Sequence, residues 1–126
     1  MSALETEVKV LNDSNETILG MDAYLETIKN NYIARNIYSD ISEERQAHIT
    51  KMQEEWVASL GYKVSSKYIK VFVNGSVHSF VIIGKDTKFK IGDILKAASW
   101  NTPARNFARG NVLVPSSYEQ VSWTGA

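Results

Sequence analysis

Two arginines four residues apart, Arg105 and Arg109, stand in the stretch "SWNTPARNFARGN" at residues 99–111, and their spacing is the most suggestive of chemistry in the chain. Residues four apart on a helix project from one face, so the pair could grip one anion through charge-assisted hydrogen bonds. Trp100 would offer a stacking face beside them, and Lys96 a further charge. The same stretch also reads as a connector between strands, with Arg109 on the carbonyls of a helix end and Arg105 in water, or as a surface for a protein partner. The remaining chemistry is thin. The chain has no Cys, which removes thiol nucleophiles, disulfides, iron–sulfur clusters and Cys-based zinc sites. His48 and His78 each lack a second ligand at metal or acid–base spacing. Glu43–Glu44 and Glu54–Glu55 are consecutive, so on a helix they point about 100° apart and read as solvated faces. There is no P-loop, dinucleotide fingerprint or nucleophile elbow. The expectation is a protein that is not an enzyme, with no cofactor and no metal.

Positioning the arginines on a helix needs boundaries, and the sequence offers them. Thr102–Pro103 has the form of an N-terminal start, because Pro at the first helical position gives up only an N–H that has no partner anyway. Gly110 would close the seven-residue turn "PARNFAR", with Phe107 and Trp100 as its anchors. A helix that short is marginal unless packed.

The rest of the chain divides into a helical and a strand-rich half. Glu5 to Leu11 alternates weakly with period two and is followed by "NDSN", so a strand and a turn are expected there. Met21, Tyr24, Leu25, Ile28, Tyr32 and Ile33 recur at three-and-four spacing, which predicts an amphipathic helix over 20–36. "NIYSD" interrupts the pattern, and its Asp40 with Glu43 reads as a capping pair. The second helix runs to Leu60 with the stripe Ile49, Met52, Trp56, Val57 and Leu60, and Gly61 sits where a left-handed cap belongs. Then "KYIKVFV" and "SVHSFVII" flank Asn74–Gly75, the strongest short hairpin signal, since a type I′ turn needs positive φ at both central residues. Pairing from that turn sets Val73 against Ser76, Val71 against His78 and Ile69 against Phe80, and leaves Tyr68, Phe72, Val77 and Val81 on the other face. Gly92–Asp93 opens a third strand candidate in "KFKIGDILKAA", and "NVLV" and "YEQVSW" are two more. At 126 residues, 44% hydrophobic and 22% charged, the chain has the makings of one ordinary globular domain rather than a disordered segment. The fold class is therefore α+β in a single domain over 1–126: two N-terminal amphipathic helices packed on a small antiparallel sheet, or partly closed barrel, of four or five short strands.

Charge follows the same division. Residues 1–60 hold five Lys or Arg against eleven Asp or Glu, and residues 61–126 hold nine against three, so −6 faces +6 beneath a neutral total. Three arrangements compete: acidic helices satisfied by a basic sheet, copies associating head to tail, or a basic half that receives an acidic ligand. In the last, basic residues interleave with aromatics (Lys67, Tyr68, Lys70, Phe72; Lys88, Phe89, Lys90), as in single-strand binders, although the alternate faces of a sheet yield the same pattern. If it holds, most of Lys67, Lys70, Lys88, Lys90 and Lys96 share a surface with Arg105.

The segment "KFKIGDILKAASWNTPARNFARGNVL", with "VSWTGA" close behind, resembles small uncharacterised proteins of tailed phages of marine bacteria. The resemblance covers about the last 40 residues and leaves out both helices. It implies a viral or marine origin and no activity, so no functional residue comes with it. No basic n-region with an apolar stretch and no window of 18 apolar residues is present, which predicts a cytoplasmic protein, of the host cell if viral, with no membrane partner. The sequons at Asn12, Asn15 and Asn74 then carry no glycan. With both hairpin faces apolar, the expectation is an interaction or accessory protein that self-associates through the hairpin and Trp123, so that a charge at Val77 or Phe72 would break the oligomer; the alternative is a module for nucleic acid or another polyanion on the basic half.

Overall fold

A computed structural model describes residues 3–35 and 41–126, with side chains from residue 12 onward. Helix α1 spans Ala3–Arg35 and helix α2 spans Glu43–Ser59; strands β1 (Gly61–Val64), β2 (Tyr68–Val73), β3 (Ser76–Ile82) and β4 (Ile94–Lys96) form one antiparallel sheet in chain order. The fold is α+β, and the sheet is open.

The three-and-four pattern of α1 is buried at four of its six positions; Leu25 is partly buried and Ile33 is 42% exposed. Met21, Tyr24, Ile28 and Tyr32 are buried against Ile69, Val71, Val73, Val81 and Ile94 of the sheet. The helix starts earlier than its apolar stripe, however, and takes in both the expected strand at Glu5–Leu11 and the "NDSN" turn. Glu5, Glu7, Lys9 and Leu11 are good helix formers, and the weak alternation with Thr6, Val8 and Val10 does not prevent a helix. Ser14 of that stretch is taken up from the helix by a distant partner, its Oγ donating to the Ile83 carbonyl, while Thr17 Oγ1 donates to the Asp13 carbonyl one turn back at 2.8 Å.

In α2 the cap is Ser42, whose Oγ accepts from the Arg45 N–H at 3.2 Å; the expected cap Asp40 lies outside the described residues. Only the last turns of α2 pack. Trp56 is buried, Val57 and Leu60 lean on the same core, and Met52 stays 53% exposed. Gly61 is no left-handed cap: Leu60 ends the helix in extended backbone and Gly61 opens β1 directly. At the far end of the core Tyr32 stacks on Trp56, ring centroids 3.9 Å apart, and Trp123 meets both edge-on.

Asn74 and Gly75 take φ of 50° and 79°, so the hairpin turn is the one expected. Val73 pairs with Ser76, but a bulge then shifts the register: Val71 pairs with Ser79, Lys70 with Phe80 and Ile69 with Val81. Because side chains alternate, one extra residue exchanges the faces beyond it. Val81 turns to the helices, and Phe80 with Ile82 turns to the opposite, outer face. There Phe80, Ile82, Leu95 and Phe89 make a second small core with no helical residue in it, flanked by Tyr68, Val77, Ile91 and Ala108. Both faces of the hairpin are thus covered within one chain.

"NVLV" and "YEQVSW" are not strands. The first is a turn closed by an Asn111–Val114 bridge, and the second begins in the 3-10 turn Pro115–Tyr118. Just before them Gly110 fills a place no other residue fits. Its φ is 152°, and a Cβ would lie 2.6 Å from the Ser117 carbonyl oxygen. Gly110→Ala should cost about 1–3 kcal/mol, the range for imposed backbone strain, read as a lowered urea midpoint at unchanged slope.

Candidate nucleic-acid interface

The expected helix "PARNFAR" does not form. Strand β4 has β3 on one side only, and the free N–H and C=O groups on its other side need partners. The chain after Trp100 supplies them: Ala104 N–H donates to the Lys96 carbonyl and Arg109 N–H to the Ile94 carbonyl, both at 2.7 Å, while Ile94 N–H donates to Gly110. The three residues Ile94–Lys96 are spanned by six of this segment, Ala104–Arg109, so residues 105–108 loop out and Ala108 settles against the outer core. Edge pairing outweighs a helix too short to hold itself.

The loop brings Arg105 onto Asp86. The guanidinium Nη2 donates to Asp86 Oδ1 at 2.9 Å and Nη1 donates to the Tyr68 hydroxyl at 3.2 Å. The same Asp86 oxygen accepts the backbone N–H of Lys88 and Phe89, and Lys67 Nζ lies 3.8 Å from Oδ2. Asp86 has a side chain only 2% accessible. Its bond to Arg105, followed by that to the Lys88 N–H, holds the carboxyl well below the usual carboxylate range. A depressed carboxyl stabilises the fold above its unfolded value of 3.8 and loses that contribution as pH falls below it. Asp86→Asn should therefore melt earlier at pH 7 and show a shallower loss of stability on acidification below pH 4, both measurable by thermal scans across pH.

Around this hub the basic and aromatic side chains of the strand-rich half gather. Lys88 Nζ donates to the Arg105 carbonyl. The Arg105 guanidinium lies 5.1 Å from the Phe89 ring centroid, and Lys67 and Lys88 sit over Tyr68 and Phe89. Lys70 Nζ donates to Asn101 Oδ1 at 2.8 Å and lies over the Trp100 ring, 4.8 Å from its centroid. Lys63 is the direct cross-strand partner of Lys70, so two like charges face each other on the outer side. Among the described residues neither has a carboxylate partner, and no ion pair joins the acidic helices to the basic sheet. The helices pack on the sheet through apolar side chains, joined by hydrogen bonds such as that of Tyr24 to Ser79. The helices pack on the face of the sheet opposite the one that carries Lys63 and Lys70.

Two expected members stand apart. Lys96 pairs with Ser79 on the helix side of the sheet and lines a cleft of about 370 Å³ with His78, Ser122 and Thr124. Arg109 does not join Arg105: its guanidinium stacks on Phe107, 3.8 Å from the ring centroid, and its buried Nε has no hydrogen-bond partner. Of the five lysines set against Arg105, Lys67 and Lys88 reach it through shared partners, and Lys70 lies on the same outer face. Lys63 was missed because nothing local marks it; only the β1–β2 register exposes it.

His78 is at the bulge and buried. Its Nε2 lies 2.7 Å from the Ser122 carbonyl, which can only accept, so Nε2 carries the proton. Nδ1 then accepts from Ser79 Oγ at 2.9 Å, and Ser79 accepts from the Tyr24 hydroxyl at 2.7 Å. Burial lowers the His78 pKa and raises that of Tyr24, so both are held neutral. The chain of donors is closed. His48 is exposed on α2, as are the paired glutamates.

Residues 6–126 match a family of unknown function, DUF7717. The chain belongs to this family. No curated protein and no solved structure matches it. Membership in DUF7717 covers the helices as well as the sheet, so the family extends over the whole fold, from α1 through the loop that carries Arg105. Among the described residues no helix is long and apolar enough to cross a membrane, and no group of three or more His, Asp or Glu could hold a metal ion.

Proposed function

We propose that this protein is a non-enzymatic module that binds the phosphate backbone of nucleic acid on the outer face of its sheet. The observation that carries the reading is the gathering of Lys63, Lys67, Lys70, Lys88 and Arg105 around Tyr68, Phe89 and Trp100, with Asp86 as the one carboxylate seen among them. Like charges directly opposite across strands are destabilising, and an anion laid between Lys63 and Lys70 relieves that repulsion. The acidic helices on the far side orient the molecule in the field of a polyanion. Lys63→Gln with Lys70→Gln removes two contacts from outside the Asp86 hub. Fluorescence anisotropy with a labelled oligonucleotide at low salt should show binding by the native protein and a loss of about tenfold or more in the double variant, one charge-assisted bond being worth about 1.5–3 kcal/mol. Equal affinity in both, or no binding to DNA or RNA of any form, would remove the reading.

A second reading, self-association, has one observation in its favour, and it lies on α2 rather than on the hairpin. Met52 is exposed on a stripe that continues from buried Trp56, on an acidic helix that a basic face of another copy would attract. Trp123 is engaged with Tyr32 and Trp56 instead. Sedimentation velocity across a wide concentration range decides it: a monomer throughout discards this reading.

A further inference from the structure

We infer that the bound strand is single and that one of its bases stacks on Trp100. This rests on the proposed phosphate-binding face and adds to it the form of the ligand.

Trp100 is 54% exposed and belongs to neither core, whereas Trp56 and Trp123 are built into the aromatic cluster with Tyr32. It stands on a tight turn. Ala98 and Ser99 both donate backbone N–H to the Thr102 carbonyl, at 2.9 and 3.0 Å, and Thr102 N–H donates back to Ser99. Lys70 holds the turn from the sheet through Asn101 and lies over the indole ring. A cation over one face of an aromatic ring is attracted to it, and more than half of the Trp100 surface stays in water. Such a ring is a platform for a flat, apolar, π-faced group. Phe107, 55% exposed and on the same edge segment, is backed in the same way by the Arg109 guanidinium. These are the two large aromatic residues left exposed among the described residues, and both come from the segment that carries Arg105.

The ligand chemistry follows from the combination. Lysines around a stacking ring suit a chain that alternates phosphates with unpaired bases. In a duplex the bases face one another and their planes are taken up by stacking, so a rigid exposed indole gains nothing there. A phosphate polymer without bases would use the lysines and ignore the ring.

Four probes at one salt concentration separate these cases: a labelled single-stranded oligonucleotide, its duplex, an abasic strand of equal length, and polyphosphate. The single strand should bind tightest and should quench tryptophan emission. Trp100→Ala should weaken it by roughly 5- to 150-fold, the value of one base–aromatic stack, and leave polyphosphate affinity unchanged. Trp100→Phe should keep most of the affinity while losing the quench, since a ring remains but the exposed indole does not. If the abasic strand binds as tightly as the base-bearing one, or if Trp100→Ala changes nothing, the stacking inference fails and the phosphate-binding face stands. If none of the four probes binds, both fall.

Discussion

Replacing Tyr24 with alanine should cost about 3–5 kcal/mol, the range for deleting a large buried aromatic side chain. That is a major share of the roughly 5–15 kcal/mol that holds a domain together. Tyr24 is fully buried, packs edge-on against Tyr118 with centroids 5.2 Å apart, and begins the hydrogen-bond chain that ends at the Ser122 carbonyl. It therefore ties α1, β3 and the C-terminal turns together at one point. Tyr24→Phe keeps the ring and removes only the hydroxyl, so its expected cost is about 0.5–1.5 kcal/mol. The gap between the two variants, measured by urea denaturation, separates packing from hydrogen bonding. The same chain has a pH signature. His78 is held neutral with its pKa below the ordinary 6.5, so the unfolded chain takes up a proton at a pH where the folded protein does not. Stability from this group is complete above pH 6.5 and declines as pH falls below it, down to the folded value.

The second large effect is expected in binding. Five cations line the outer face and Asp86 offsets one of them, which leaves about four phosphate contacts. For a single strand the logarithm of affinity should then fall with the logarithm of salt at a slope of about −3, so raising salt from 50 to 200 mM should weaken binding by about 50-fold. Lys63→Gln with Lys70→Gln should reduce the slope by about 1.4 as well as the affinity. A slope near zero would mean that the lysines do not meet phosphates.

What the sequence made legible and what it concealed divide along one line: whether the decisive partner is near in the chain. Asn74–Gly75 fixes its own turn, because the need for positive φ is local. The Met21–Tyr32 stripe likewise declares its buried face through spacing alone. The bulge at His78 is different. It exists because His78 and Ser79 both turn toward Tyr24 and Ser122, residues 55 and 44 positions away, and no local pattern announces it. Its consequence is large, since Phe80 and Val81 exchange faces and the outer core forms. The Arg105 segment carries true helix-start residues at Thr102–Pro103, yet the unpaired edge of β4 claims its backbone. The helix expected to carry Arg105 and Arg109 on one face does not form: Arg105 pairs with Asp86, and Arg109 is occupied with Phe107. Lys96 was near Arg105 in sequence and lies on the other face of the sheet because alternation along β4 separates it from Leu95.

The most direct test maps the ligand onto the protein. In a two-dimensional amide and indole NMR titration with an unlabelled single-stranded oligonucleotide, the largest shifts should fall on Lys63, Lys70, Asn101, Arg105 and the Trp100 indole N–H, while α2 from Glu43 to Gln53 stays silent. Shifts centred on α2 or on the cleft around Lys96, or none at saturating oligonucleotide, would contradict the assignment of the outer sheet face as the binding surface.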